Sequence, residues 1–119
     1  PGFDMYAPMI DARRNEVYAA LYEPAMKVVL PPHAAILSGN LFPQIPDNKK
    51  ILFFGNGASK WKQMGVFSNN ASFKEAVYNG KHLATLLFKS FKNNHFCNLA
   101  YTEPLYIKDV HFAGPKKAE

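Results

Sequence analysis

Cysteine occurs once in this chain, at Cys97, so no internal disulfide is available and the sequence suits a reducing compartment. No apolar run approaches the ~20 residues that cross a bilayer. No basic, apolar, cleavable leader precedes the first strand either, so no membrane contact and a cytoplasmic protein are the expectations. Histidines at metal-ligand spacing are also missing. His33, His82, His95 and His111 stand far apart, with no HxxxH or HExxH pattern, which excludes the usual zinc-peptidase arrangement. No serine sits in a GxSxG elbow. Cys97, between Phe96 and Asn98, reads as a small hydrophobe with no motif around it. From these absences neither peptidase chemistry nor a serine or cysteine nucleophile is expected, and no metal site.

Acidic residues are scarce: 9 Asp+Glu stand against 14 Lys+Arg, a net charge of +5 and a pI near 9.4. That balance favours acidic partners or nucleic-acid backbones without specifying either. Scattered as they are, the lysines read first as a solvated surface. There are no internal repeats and no low-complexity segments.

At 119 residues, 48% hydrophobic and 14% aromatic, the chain supports one domain with one core. It opens on Pro1-Gly2 and runs straight into a strand, which reads as a piece of something longer. Residues 5–10 and 16–22 form a hairpin, with Val17, Ala19 and Leu21 on one side and Tyr18, Ala20 and Tyr22 on the other. A third strand at 26–30 is ended by Pro31-Pro32, and 33–37 is a brief extended piece. A short helix is expected after Ser38, through Leu41-Phe42. The uninterrupted Ile51-Leu52-Phe53-Phe54 resembles a strand buried on both faces. Gly55-Asn56-Gly57 ends it, and 58–64 is a short helix around Trp61. Residues 66–68 read as extended and the piece after Asn70 as helical or irregular. The clearest helix is 79–93, capped by Asn79, with Leu83, Leu87 and Phe91 on one apolar stripe expected to be core. Beyond Tyr101 the chain should be extended, with Pro104 confining it to an edge or to irregular structure.

Two stretches invite chemistry. Gly55-Asn56-Gly57, between a strand and a helix, could let backbone N–H groups approach a phosphate. Equally, a strand-to-helix turn needs left-handed backbone, which glycine supplies, and that reading stands ahead. The 11–16 turn carries Asp11, Arg13, Arg14 and Glu16, more charge than turning requires. Asn15 is the residue there that tolerates left-handed backbone. Two readings stay open for this turn. Arg13 pairs with Asp11 or Glu16 and pins the hairpin, or Arg13 and Arg14 present bidentate donors to a partner carboxylate or phosphate.

Ile10-Asp11-Ala12-Arg13, a spacer pair, and Glu16-Val17-Tyr18 resemble the IDAR..EVY signature that opens the C-terminal half of the TsaB (YeaZ) family, a TsaD-like group often filed as glycoproteases. Phe53-Phe54-Gly55-Asn56-Gly57-Ala58 with Trp61 resembles that family's strand-turn-helix step. Glu103-Pro104-Leu105-Tyr106-Ile107-Lys108 with Lys116-Lys117 resembles its EP.Y.R…KK ending, with Lys108 where Arg is common. Asn15 likewise departs from the usual Gly or Met. The likeness spans nearly the whole chain, but only the two end motifs are specific.

The resemblance implies an α/β (mixed α+β) fold: a ribonuclease-H-like lobe of the actin-like, Hsp70 and sugar-kinase ATPase fold, a mixed sheet with flanking helices. It implies that residues 1–119 are one domain, the C-terminal lobe of a two-lobed protein. The implied function is a non-catalytic scaffold subunit, with no cofactor of its own, of the bacterial machinery that makes N6-threonylcarbamoyladenosine in tRNA. Its partners would be a TsaD-like catalytic subunit, a TsaE-like ATPase, or a second copy of itself, with tRNA met through the complex. ATP or ADP would enter only at an interface, near Gly55, Asn56 and Gly57. The family's metal-binding pair belongs to the catalytic subunit and has no counterpart here. From a different class, a free-standing basic nucleic-acid-binding domain is the alternative, and an active nucleotide hydrolase is the residual one.

Overall fold

The structure is a computed structural model that describes residues 2–109 apart from 40, 44, 66, 68, 69 and 77. Alternating apolar residues build the first hairpin, β1 (Met5–Asp11) and β2 (Glu16–Glu23), antiparallel with Ile10 opposite Tyr18 and Tyr6 opposite Tyr22. A single 3-10 turn, Pro24–Met26, leads to β3 (Lys27–Ile36), antiparallel on the outer side of β2. The chain then returns through an irregular stretch to β4 (Ile51–Phe54), which lies parallel to β1 on its other side. Helix α1 (Asn56–Met64) crosses to β5 (Ala71–Lys74), parallel to β4. The five strands run in the order β3-β2-β1-β4-β5, a mixed sheet within a mixed α/β fold. Helix α2 (Gly80–Lys92) follows β5.

Only one face of this sheet is sealed. Met5, Ala7 and Met9 of β1, Val17, Ala19 and Leu21 of β2, and Ile51 and Phe53 of β4 pack against Ala58 and Trp61 of α1 and against Leu37, Phe42 and Ile45 of the return stretch. The rings of Phe42, Phe53 and Phe73 stack in series, at 6.1 and 5.3 Å between centroids. On the opposite face Tyr6, Pro8, Tyr18, Tyr22, Leu52 and Phe54 are half-buried, while Ile10 and Val28 are mainly exposed. None of the described helices packs there.

Several expectations change. The Pro31-Pro32 pair does not end the third strand; β3 runs on to Ile36. Opposite these prolines the register of β2 and β3 shifts, between the Ala19–His33 and Leu21–Leu30 pairs. A bulge on an edge strand is where a residue without N–H is tolerated. No helix forms among the described residues between Ser38 and β4: Gly39 and Pro43 prevail over the Ser38 cap, and the apolar residues enter the core as an irregular segment. Residues 71–74, read as helical or irregular, are β5. In the 66–68 stretch, 66 and 68 lie outside the described residues. β4 is buried on its Ile51 and Phe53 face only.

Helix α2 takes its expected cap, with the backbone N–H of His82 donating to Asn79 Oδ1 at 3.2 Å, but it buries none of its residues. The prediction of a core helix is therefore wrong. Its stripe is genuine, yet nothing described covers it. Cys97, read as a small hydrophobe, is exposed. Among the described residues no helix is long and apolar enough to cross a membrane.

Candidate functional site

Parallel pairing of β1 with β4 brings the two charged or glycine-rich motifs to one end of the sheet, although they are 45 residues apart in sequence. Where β1 ends, the backbone N–H of Asp11 donates to Asn56 Oδ1 at 2.9 Å. One helical turn further along α1, Lys60 Nζ lies 2.9 Å from Asp11 Oδ1 and 3.5 Å from the Glu16 carbonyl. Asn56 and Lys60 share a face because four residues nearly complete a turn. That side of α1 is a clamp on the 11–16 turn.

The turn closes on itself as well. Asp11 Oδ1 accepts the backbone N–H of Arg13 at 2.9 Å, an Asx turn. The N–H of Glu16 donates to the Arg13 carbonyl at 3.2 Å, and the N–H of Leu37 to that of Asn15 at 2.6 Å. Left-handed backbone falls on Arg13 (φ 66°) and Arg14 (φ 52°), not on Asn15 as the sequence suggested. For residues bearing a Cβ this conformation costs about 1–2 kcal/mol each. The ion pairs also differ from the simplest expectation. Asp11 pairs with Lys60 and Glu16 with Lys108, so Arg13 pairs with neither carboxylate. Both arginine side chains are exposed.

Lys108 thus ties the C-terminal motif to the turn across 92 residues. Its companions Glu103, Pro104 and Tyr106 are exposed and make none of the cluster's hydrogen bonds. Lys116 and Lys117 lie outside the described residues.

Gly55 and Gly57 serve the approach of α1 to β1. A Cβ on Gly55 would come within 2.3 Å of the Met9 carbonyl oxygen, and one on Gly57 within 3.0 Å of the Met9 and Ile10 backbone. The steric demand comes from the chain itself. Among the described residues no group of three His, Cys, Asp or Glu side chains is placed to hold a metal ion. A concavity lies elsewhere, on the open sheet face. It has a volume of about 690 Å³ and an apolar lining that includes Tyr6, Pro8, Tyr22, Pro24, Met26 and Phe54.

Lys60 is the participant that sequence reasoning missed, passed over among scattered lysines. Its spacing from Asn56 was the available signal, but it points at Asp11 only once β1 and β4 are known to be parallel neighbours.

The Lys60 ammonium, and after it the Arg13 amide, hold the Asp11 carboxyl below the ordinary carboxylate range. A carboxylate whose pKa is lower folded than unfolded contributes stability above its unfolded pKa and loses it as pH falls through the folded value. Between pH 6 and pH 3, the urea midpoint of Asp11→Asn should therefore fall less than that of the parent chain. Equal falls would show that Lys60 does not hold Asp11 in solution.

In fold the chain is similar to a crystal structure described as that of an uncharacterized protein with similarity to peptidase YeaZ from Pseudomonas aeruginosa, at 18% sequence identity and a TM-score of 0.66. The match covers 90% of this chain and 50% of that one, so the chain spans half the length of the protein it matches. No family model matches the chain, and no curated protein does.

Proposed function

We propose that this chain is the C-terminal lobe of a two-lobed, non-catalytic scaffold of the TsaB (YeaZ) type, with a ribonuclease-H-like architecture. In this reading it supports N6-threonylcarbamoyladenosine formation in tRNA by holding a TsaD-like catalytic subunit in the cytoplasm, with a TsaE-like ATPase joining the assembly. The observation that carries the reading is the fold likeness over nine-tenths of the chain to a YeaZ-like protein of twice the matched length. The IDAR..EVY and EP.Y.K residues support it, because they converge on one cluster through Asp11, Glu16 and Lys108.

The outward-facing part of that cluster is Arg13 and Arg14. Two exposed guanidiniums held in strained backbone, with the neighbouring carboxylates occupied by other lysines, are suited to a partner's carboxylates. Nucleotide, if it enters, would do so at the interface beside Gly55, Asn56 and Gly57.

Reconstituted tRNA modification with the full-length protein and a TsaD-like subunit tests the scaffold role. Omitting the protein should stop the reaction, and an unchanged rate would overturn the proposal. A second measurement tests the arginines. Arg13→Gly combined with Arg14→Gly relieves the left-handed strain and should leave the chain as stable or about 1 kcal/mol more stable, yet weaken partner binding by about tenfold or more. Unchanged affinity would remove the arginines from the interface.

One observation favours the alternative, a basic nucleic-acid-binding domain: residues 79–102 contain no Asp or Glu, and α2 within them carries Lys81, His82, Lys89 and Lys92. That reading predicts tight tRNA binding by this chain alone, falling steeply with salt. Weak binding in a filter titration at two salt concentrations removes it.

A further inference from the structure

Two Asn-Gly pairs occur in this chain, Asn56-Gly57 at the start of α1 and Asn79-Gly80 at the start of α2. Such pairs share a reactivity. The backbone nitrogen of the residue after Asn can attack the side-chain amide carbon, and glycine, having no Cβ, hinders that attack least. Closing the five-membered ring requires the Asn ψ torsion to turn. The chain on one side of the pair must then move relative to the other. The fold treats the two pairs oppositely.

At the first pair that movement is blocked. Asn56 lies inside α1, and its Oδ1 accepts the Asp11 amide at 2.9 Å. Gly57 is buried, with the Met9 and Ile10 backbone 3.0 Å from where its Cβ would be. Ala58 and Trp61 are buried with it, so turning the Asn56 torsion would lift α1 from the core. The second pair is free to move. Asn79 stands just outside its helix on extended backbone (φ −141°, ψ 156°). Both Asn79 and Gly80 are exposed, and a Cβ on Gly80 would meet nothing within 4 Å. The hydrogen bond that holds the Asn79 side chain is the 3.2 Å cap from the His82 amide. Because α2 buries none of its residues, swinging it about this point disturbs no buried side chain of the helix.

We propose that Asn79 is a site of spontaneous covalent modification, cyclising with Gly80 and losing ammonia, while Asn56 stays intact. The Gly80 nitrogen, its proton given to hydroxide, bonds to Asn79 Cγ. The side-chain nitrogen takes a proton from water and leaves as ammonia. Water then opens the resulting succinimide at one of its two carbonyls, giving either aspartate or isoaspartate at position 79. The two products act on α2 in opposite directions. Aspartate keeps the cap and places a negative charge at a helix end with no acidic residue in its first turn. That charge would be the first in residues 76–102, which contain no Asp or Glu. Isoaspartate routes the chain through the former side-chain carbon, inserting an extra backbone atom and removing the cap. The direction in which α2 leaves β5, and with it the placement of the Leu and Phe stripe, thus changes as the molecule ages. This chemistry does not depend on the scaffold role, and either can fail alone.

Incubating the unmodified chain at pH 8 and 37 °C, then digesting it and weighing the two Asn-Gly peptides, reads both sites in one molecule. Asn79 should convert about tenfold or more faster than Asn56, because opening a cap is far easier than parting a core helix from its sheet. In concentrated urea the two rates should approach each other. Equal rates in the native chain overturn the proposal, as does an unchanged Asn79 or a ratio that persists in urea. Gly80→Ala has room for its Cβ, so it should fold as the parent does and slow conversion at Asn79 by about tenfold. Conversion as fast as in the parent would mean that the Gly80 nitrogen is not the attacking group. Enzymatic carboxyl methylation should detect isoaspartate in the aged chain. By circular dichroism that chain should hold less helix than Asn79→Asp, which should match the parent. Equal helicity overturns the effect assigned to isoaspartate.

Discussion

Gly55→Ala is expected to cost about 3 kcal/mol or more and to leave little folded protein at 37 °C if the domain is marginally stable. Two separate penalties meet at this position. Its φ of +96° is one that L side chains rarely adopt, and residues forced into such regions carry about 1–3 kcal/mol of strain. The added Cβ would also sit 2.3 Å from the Met9 carbonyl oxygen. That oxygen belongs to β1, central in the sheet, so it cannot swing aside as a flexible side chain would. Overpacking of that kind typically costs about 1–3 kcal/mol more. Gly65→Ala is the control: it has positive φ (67°) at the end of α1 but open space where the Cβ would go. Its loss should be limited to the backbone term, about 1 kcal/mol. Urea unfolding of both variants separates the contributions, and similar losses would mean that the approach to Met9 is not as tight as described.

Trp61→Ala carries the other large effect, a loss of about 3–5 kcal/mol. Trp61 is 2% exposed and joins α1 to the core formed by β1, β2 and β4. Cutting it to alanine would leave a cavity bounded by strands that cannot collapse inward. Trp61→Phe should be far milder. Trp61 Nε1 has no hydrogen-bond partner among the described residues, so phenylalanine removes a buried donor that gains nothing from its site while keeping most of the apolar contact. Thermal melts should therefore rank the parent and Trp61→Phe close together, with Trp61→Ala far below. If phenylalanine costs as much as alanine, the indole is bonded in solution and this account of its environment is wrong.

What could be read from the sequence follows from the range of the interactions involved. Alternation in 16–22 places Val17, Ala19 and Leu21 inside, as observed, because a strand's faces are set by its own residues. Asn79 caps α2 by a contact only three residues long. The helix's environment was not legible: a stripe of Leu and Phe says that a surface wants covering, not whether anything covers it. β5 went unrecognised because four residues, Ala71-Ser72-Phe73-Lys74, carry too little pattern, and only pairing with β4 makes them a strand. At the candidate site the charged turn stood out by composition, but its wiring did not. Asp11–Lys60 and Glu16–Lys108 span 49 and 92 residues, and both take the place of the nearer arginine that one of the two local readings paired with them. Arg13 and Arg14 take left-handed backbone because the Asp11 cap and the Glu16 pairing together fix the loop's length.

The prolines of β3 bear on how the molecule meets others. An intruding peptide that tried to extend the sheet by zipping along this border would reach Pro31-Pro32 and find two successive positions with no amide hydrogen to offer. At the other border β5 offers only four residues, ending in Lys74. Neither flank invites β-augmentation, so association is steered toward side-chain contact through broad surfaces and away from the ribbon-to-ribbon stacking that seeds fibrils.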